Sequence, residues 1–186
     1  MKIRELFESA GSITVYHGDN YNTRSLEPRL MNNGNNQEGV GIYFSDRYDT
    51  TKAYGVNVVK ADINMRNFVE SRKPVSILNR AGVVKLMHDM ARVDQEAMYY
   101  IATDYGIFLQ EPEDLEPYHI DELYGYMRDE EIRNFQTMMA GTFGVENFVK
   151  SWNRWVGVDG TWNYHNSNER WFAIINPKIR VEKAQG

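Results

Sequence analysis

Hydrophobic spacing changes twice along this 186-residue chain, and the two changes restrict it to one fold class. Up to Pro74 the apolar residues fall in short alternating runs. Residues 12–17 alternate with β-branched side chains and predict a strand ending at Gly18, with Ile13, Val15 and His17 on one face. Residues 40–45 and 56–63 predict two more strands. Beyond Pro74 the spacing becomes helical: Ala81, Val84, Met87 and Ala91, then Ile120, Leu123, Tyr124 and Met127, then Ile132, Phe135 and Met139. Glu111 to Pro117 reads as a connector between helices. Strand character returns from Val158, with a turn at Asp159-Gly160. An apolar strand at 170–175, ended by Asn176-Pro177, and a short extended run at 179–181 complete the pattern. Strands at both ends with helices between them predict an α+β protein. The expected organisation is one domain, 1–186, with a mostly helical insertion over 75–152.

A chain of this length can remove roughly 70% of its unfolded surface from water, enough for a core. It has no cysteine, so disulfides, thiolate zinc sites and a cysteine nucleophile are excluded. The net charge of −5 gives no global field toward DNA phosphates. Lys2, Arg4, Arg24 and Arg29 read either as a basic patch or as scattered surface cations. No run nears the roughly 18 apolar residues of a membrane span, so no membrane partner is expected. Residues 1–8 lack a long apolar stretch and carry acidic side chains. They predict a short amphipathic helix on Ile3, Leu6 and Phe7 rather than a signal peptide. A cytoplasmic monomer is expected.

Candidate functional residues cluster in three places. Tyr16-His17-Gly18 ends the first strand. Gly41-Ile42-Tyr43-Phe44-Ser45-(x)8-Tyr54 covers the second strand and the segment after it. A short helix is expected from about Asp46, its candidate N-cap, and Thr51 and Tyr54 would share a face on it. Asn168-Glu169-Arg170 opens the apolar strand near the C-terminus. Two tyrosines so placed can clamp a flat ring, and Gly18 lets its backbone approach a ligand closely. Taken alone, His17 also reads as a histidine at the core edge satisfied by backbone, and Glu169 as a solvated acid. Residues 19–39, rich in Asn and Gly, read either as a lid over a ligand or as a plain surface loop. The histidines at 17, 88, 119 and 165 form no zinc-binding pair, and neither a phosphate-cradling glycine loop nor a nucleophile elbow is present.

These segments resemble the ADP-ribosyltransferase superfamily, in the His-Tyr-Glu branch of poly(ADP-ribose) polymerases and diphtheria toxin. His17-Gly18 is similar to the family's first motif. Gly41-Ile42-Tyr43-Phe44 with Thr51 and Tyr54 is similar to the second, and Glu169 through Asn176-Pro177 to the third. Together the motifs cover about sixty residues, and 75–152 has no counterpart. The branch with Arg-Ser-Glu motifs needs a Glu-x-Glu pair and a Ser-Thr-Ser run, which this chain lacks. The resemblance implies a split antiparallel β-sandwich with NAD in its cleft. It makes NAD a co-substrate and requires no metal. It implies that His17 binds ribose hydroxyls, that Gly18 and Thr51 hold the carboxamide, and that Tyr43 and Tyr54 stack on nicotinamide. The resemblance also implies that His17, Tyr43 and Glu169 are the catalytic triad, with Glu169 the carboxylate facing the oxocarbenium-like transition state. The compact size and the opening residues 1–8 also resemble small proteins of tailed phages, with Leu6-Phe7-Glu8 similar to their head-maturation cleavage sites.

The implied activity is transfer of a single ADP-ribose to a macromolecular acceptor. That acceptor could be a protein or a nucleic acid, and a small molecule is a further option. NAD hydrolysis is the nearest alternative. A non-catalytic NAD- or ADP-ribose-binding module, or a virion protein on the same fold, is the reading from another class. The helical insertion is either a selector of acceptors or a scaffold.

Overall fold

The computed structural model describes residues 11–19, 39–176 and 178–184. The expected N-terminal helix, the cations at 2, 4, 24 and 29, and nearly all of the 19–39 loop lie outside them.

Four strands come first: β1 (Ile13–Asp19), β2 (Ile42–Ser45), β3 (Asn57–Ile63) and β4 (Phe68–Glu70), with helix α1 (Tyr48–Lys52) between β2 and β3. Five helices come next: α2 (Arg80–Val93), α3 (Gln95–Asp104), α4 (Pro117–Met127), α5 (Ile132–Phe143) and α6 (Val145–Trp155). Strands β5 (Gly160–Asn166), β6 (Glu169–Ile174) and β7 (Glu182–Lys183) end the described chain. The architecture is α+β, with a seven-stranded mixed sheet in the order β4-β5-β6-β2-β1-β3-β7. β4 and β5 run parallel and the other pairs antiparallel. The final extended run falls at 182–183 rather than at 179–181.

The strands form one hydrogen-bonded sheet rather than two separate ones. Its weakest seam lies between β1 and β2. β1 pairs with β3 along all of Ile13–Asp19, whereas its register with β2 is the single pair Tyr16 opposite Ser45. Beyond that rung no further β1–β2 register pair forms among the described residues.

Alternation assigns the faces. Val15, Ile42, Phe44, Ala61, Ile63, Phe68, Phe172 and Ile174 build one core on one face. Tyr43, Ser45, Glu169 and Trp171 alternate with members of that core and so look out from the other face. The helices form a second, larger core around the fully buried Leu86, Met87, Phe135, Phe148 and Trp152. Val40, just before β2, and Ile175, just after β6, belong to it. The helical block is therefore tied to the same ends of the two central strands.

Local chemistry explains the helix boundaries. Asp94 caps α3 by accepting from Ala97 N at 2.9 Å. Pro117 starts α4, where its missing N–H costs nothing. Gly144, at φ 87°, separates α5 from α6. Asp46 does not cap α1. The position before that helix is Arg47, and the Asp46 carboxylate grips Arg170 instead. The helix ends at Lys52, so Tyr54 lies past it and does not share a helical face with Thr51.

Candidate functional site

The sheet order brings His17, Tyr43 and Glu169 onto three neighbouring strands, β1, β2 and β6. His17 belongs by alternation to the face of Val15, and its ring meets Phe44 at 5.4 Å between centroids. The ring reaches into the seam, where Nδ1 lies 2.6 Å from the Tyr43 carbonyl oxygen. A carbonyl can only accept, so Nδ1 carries the proton and Nε2 of the neutral ring keeps its lone pair. The side chain thus joins β1 to β2 where backbone pairing stops. Contact with Tyr43 runs through the main chain. The Tyr43 ring lies on the other face, with its hydroxyl donating to Gly39 O.

Glu169 is the first residue of β6 and is only 6% exposed. Three neutral groups donate to it. Ser45 Oγ and Trp171 Nε1 each reach Oε1 at 2.7 Å, and Asn166 Nδ2 reaches Oε2 at 3.5 Å. Ser45 Oγ accepts from Arg47 N at 2.9 Å, which directs its own proton toward Glu169. Among the described residues no cation pairs with Glu169. The adjacent Arg170 is committed to Asp46, with Nε to Oδ2 at 2.9 Å and Arg170 N to Oδ1 at 3.0 Å. A buried carboxylate held by dipoles, with no counter-ion, suits a ligand on which positive charge develops.

Gly18 and Thr51 meet through the main chain. The Thr51 carbonyl packs on Gly18 so closely that an added Cβ would lie 2.0 Å from its oxygen. Thr51 is buried, and its hydroxyl donates to Tyr48 O at 2.7 Å. Tyr54 is 58% exposed. Its ring contact is with Trp171, edge to face at 6.3 Å and 84°. The other ring on Trp171 is His165, stacked at 4.2 Å and 4°.

Ser45, Trp171, Asn166 and His165 do not stand out in the sequence. Two of them are within reach of period two, since Ser45 lies two beyond Tyr43 and Trp171 two beyond Glu169. The other two depend on a bulge. β5 pairs with β6 in register up to Tyr164 opposite Arg170, and then Asn166, not His165, stands opposite Glu169. The extra residue throws the His165 ring onto Trp171.

Among the described residues, no cluster of three or more His, Cys, Asp or Glu could hold a metal ion, and no helix is long and apolar enough to cross a membrane. No protein-family model, no curated protein and no solved structure matches this chain.

Proposed function

We propose that the chain is an NAD-dependent mono-ADP-ribosyltransferase, acting at the seam between β1 and β2 on an ADP-ribosyltransferase-like version of the α+β fold. The single rung joining β1 to β2 corresponds, on this reading, to the split of that fold. The observation that carries the reading is Glu169: a buried carboxylate without a counter-ion among the described residues, on the strand next to the one that bears Tyr43, with the strand of His17 one further on.

In the proposed step the C1′–N bond of NAD breaks and its electron pair leaves on neutral nicotinamide. Glu169 stabilises the cationic ribose carbon. The acceptor nucleophile forms the new bond at C1′ and gives up its proton. His17 Nε2 accepts from a ribose hydroxyl, Gly18 and Thr51 hold the carboxamide, and Tyr43 and Tyr54 flank the nicotinamide ring. For Thr51 and Tyr54 this assignment rests on sequence resemblance alone.

The test uses NAD labelled in its adenylate half, incubated with cell lysate and either the parent or Glu169→Gln. The parent is expected to label a macromolecule and release nicotinamide in equal amount, and the variant to do so about 100- to 1000-fold more slowly. Free ADP-ribose without a labelled macromolecule would assign the site to NAD hydrolysis. Labelling at the parent rate in Glu169→Gln would sink the mechanism.

A further inference from the structure

We propose that Trp171 is a positioning residue that couples the catalytic carboxylate to the nicotinamide clamp. The proposal rests on the transferase reading above and adds a residue that reading does not use.

Trp171 and Ser45 are direct partners across the β2–β6 ladder. Both donate to the same oxygen of Glu169, Oε1, at 2.7 Å. The second oxygen is reached by the Asn166 amide at 3.5 Å. Two donors on one oxygen fix the rotation of the carboxylate and leave Oε2 as the oxygen with acceptor capacity to spare. The indole that supplies one of these donors is itself held. His165 stacks flat on it, and Tyr54 leans edge-on against it. An aromatic side chain with two torsions, packed by two rings, holds its N–H in one direction at little entropic cost. Trp171 thereby touches both Glu169 and Tyr54, the exposed member of the tyrosine pair. A shift of the Tyr54 ring on ligand entry would be felt at the carboxylate through the indole.

The two duties separate by substitution. Trp171→Phe keeps an aromatic wall for Tyr54 and loses the N–H. Trp171→Ala loses both. The readouts are the nicotinamide release rate with NAD and lysate, and the calorimetric affinity for a carbocyclic NAD analogue that cannot lose nicotinamide. For Trp171→Phe we expect kcat to fall about ten- to hundredfold, the cost of one hydrogen bond to a charged group, with analogue affinity unchanged. For Trp171→Ala we expect the same loss in kcat and an additional affinity loss of about fivefold, the cost of one aromatic pair. Parent-like turnover by Trp171→Phe overturns the proposal. So does a proportional fall in rate and affinity in both variants that tracks their thermal melting, which would make Trp171 a packing residue only. A parent that neither binds the analogue nor releases nicotinamide overturns the transferase reading, and this role with it. The first two outcomes leave that reading standing.

Discussion

Gly18 shows how one residue carries two explanations. Next to a histidine at a strand end, a missing Cβ reads as room for a ligand. In the fold that room is already taken, because the Thr51 carbonyl rests on it. Gly18→Ala must push α1 away from β1, and we expect it to cost about 1–3 kcal/mol in a urea titration whether or not NAD binds. Glu169 is legible because an acid opening an apolar strand is conspicuous. Its donors are less so, since their meaning depends on which strand lies beside β6. Thr51 also carries a local duty: its hydroxyl donates to Tyr48 O, a bond that short polar side chains favour near helix ends.

At the scale of elements, α1 is shorter than its sequence suggests. The turn after it is set by close approach, as Gly55 packs on Asp19 where a Cβ would lie 2.1 Å from the backbone carbonyl carbon. Docking of that turn on β1 overrides the continued helix, and Tyr54 leaves the helical face as a result. The larger helices are legible because their apolar stripes are long and regular. One polar link between them is not. Asp89 on α2 accepts from Trp155 Nε1 at 2.6 Å and Ser151 Oγ at 2.9 Å, both on α6. Burial pushes its carboxyl up. The Trp155 and Ser151 hydrogen bonds, with the Arg154 and Arg92 charges, outweigh this and hold it below the ordinary carboxylate value. A depressed acid contributes its full stability above the unfolded value of 3.8 and loses it as pH falls through the lower folded value. Asp89→Asn is therefore expected to be less stable than the parent by on the order of 1–2 kcal/mol near neutral pH. The gap between the two melting curves should close in strong acid. A gap that stays constant with pH would mean that the carboxylate charge plays no part in joining α2 to α6.

For the whole molecule, the sequence carries the division into strands, helices and strands but not the order of the sheet. Pairings such as Ser45 with Trp171 join residues far apart in the chain, and no local pattern states them. Nor can it show that the helical core reaches the site strands through Val40 and Ile175. From that connection we expect the insertion to unfold together with the sheet. Phe135→Ala, at the centre of the helical core, is expected to lower stability by about 3–5 kcal/mol. Tryptophan fluorescence, from Trp152 and Trp155 on α6 and Trp162 and Trp171 in the sheet, and far-ultraviolet dichroism should then report one shared transition. Two separated transitions would show that helices and sheet unfold independently.

The bulge at His165 has a consequence for what kinds of change this site can absorb. Removing one residue there would straighten β5 against β6 and move Asn166 off Glu169, and with it the ring that braces Trp171. On β6 itself, a slip of one position would carry the carboxylate through to the sheet's opposite side. The Asp46–Arg170 clamp and the Arg47 Nε bond to Asn168 O, 2.8 Å long, guard against that slip from both sides of Glu169. Insertions and deletions are thus the sharper hazard in this hairpin, and substitutions the milder one. In any chain descended from a common ancestor with this one, the spacing from His165 to Trp171 should vary less than the residues that occupy it.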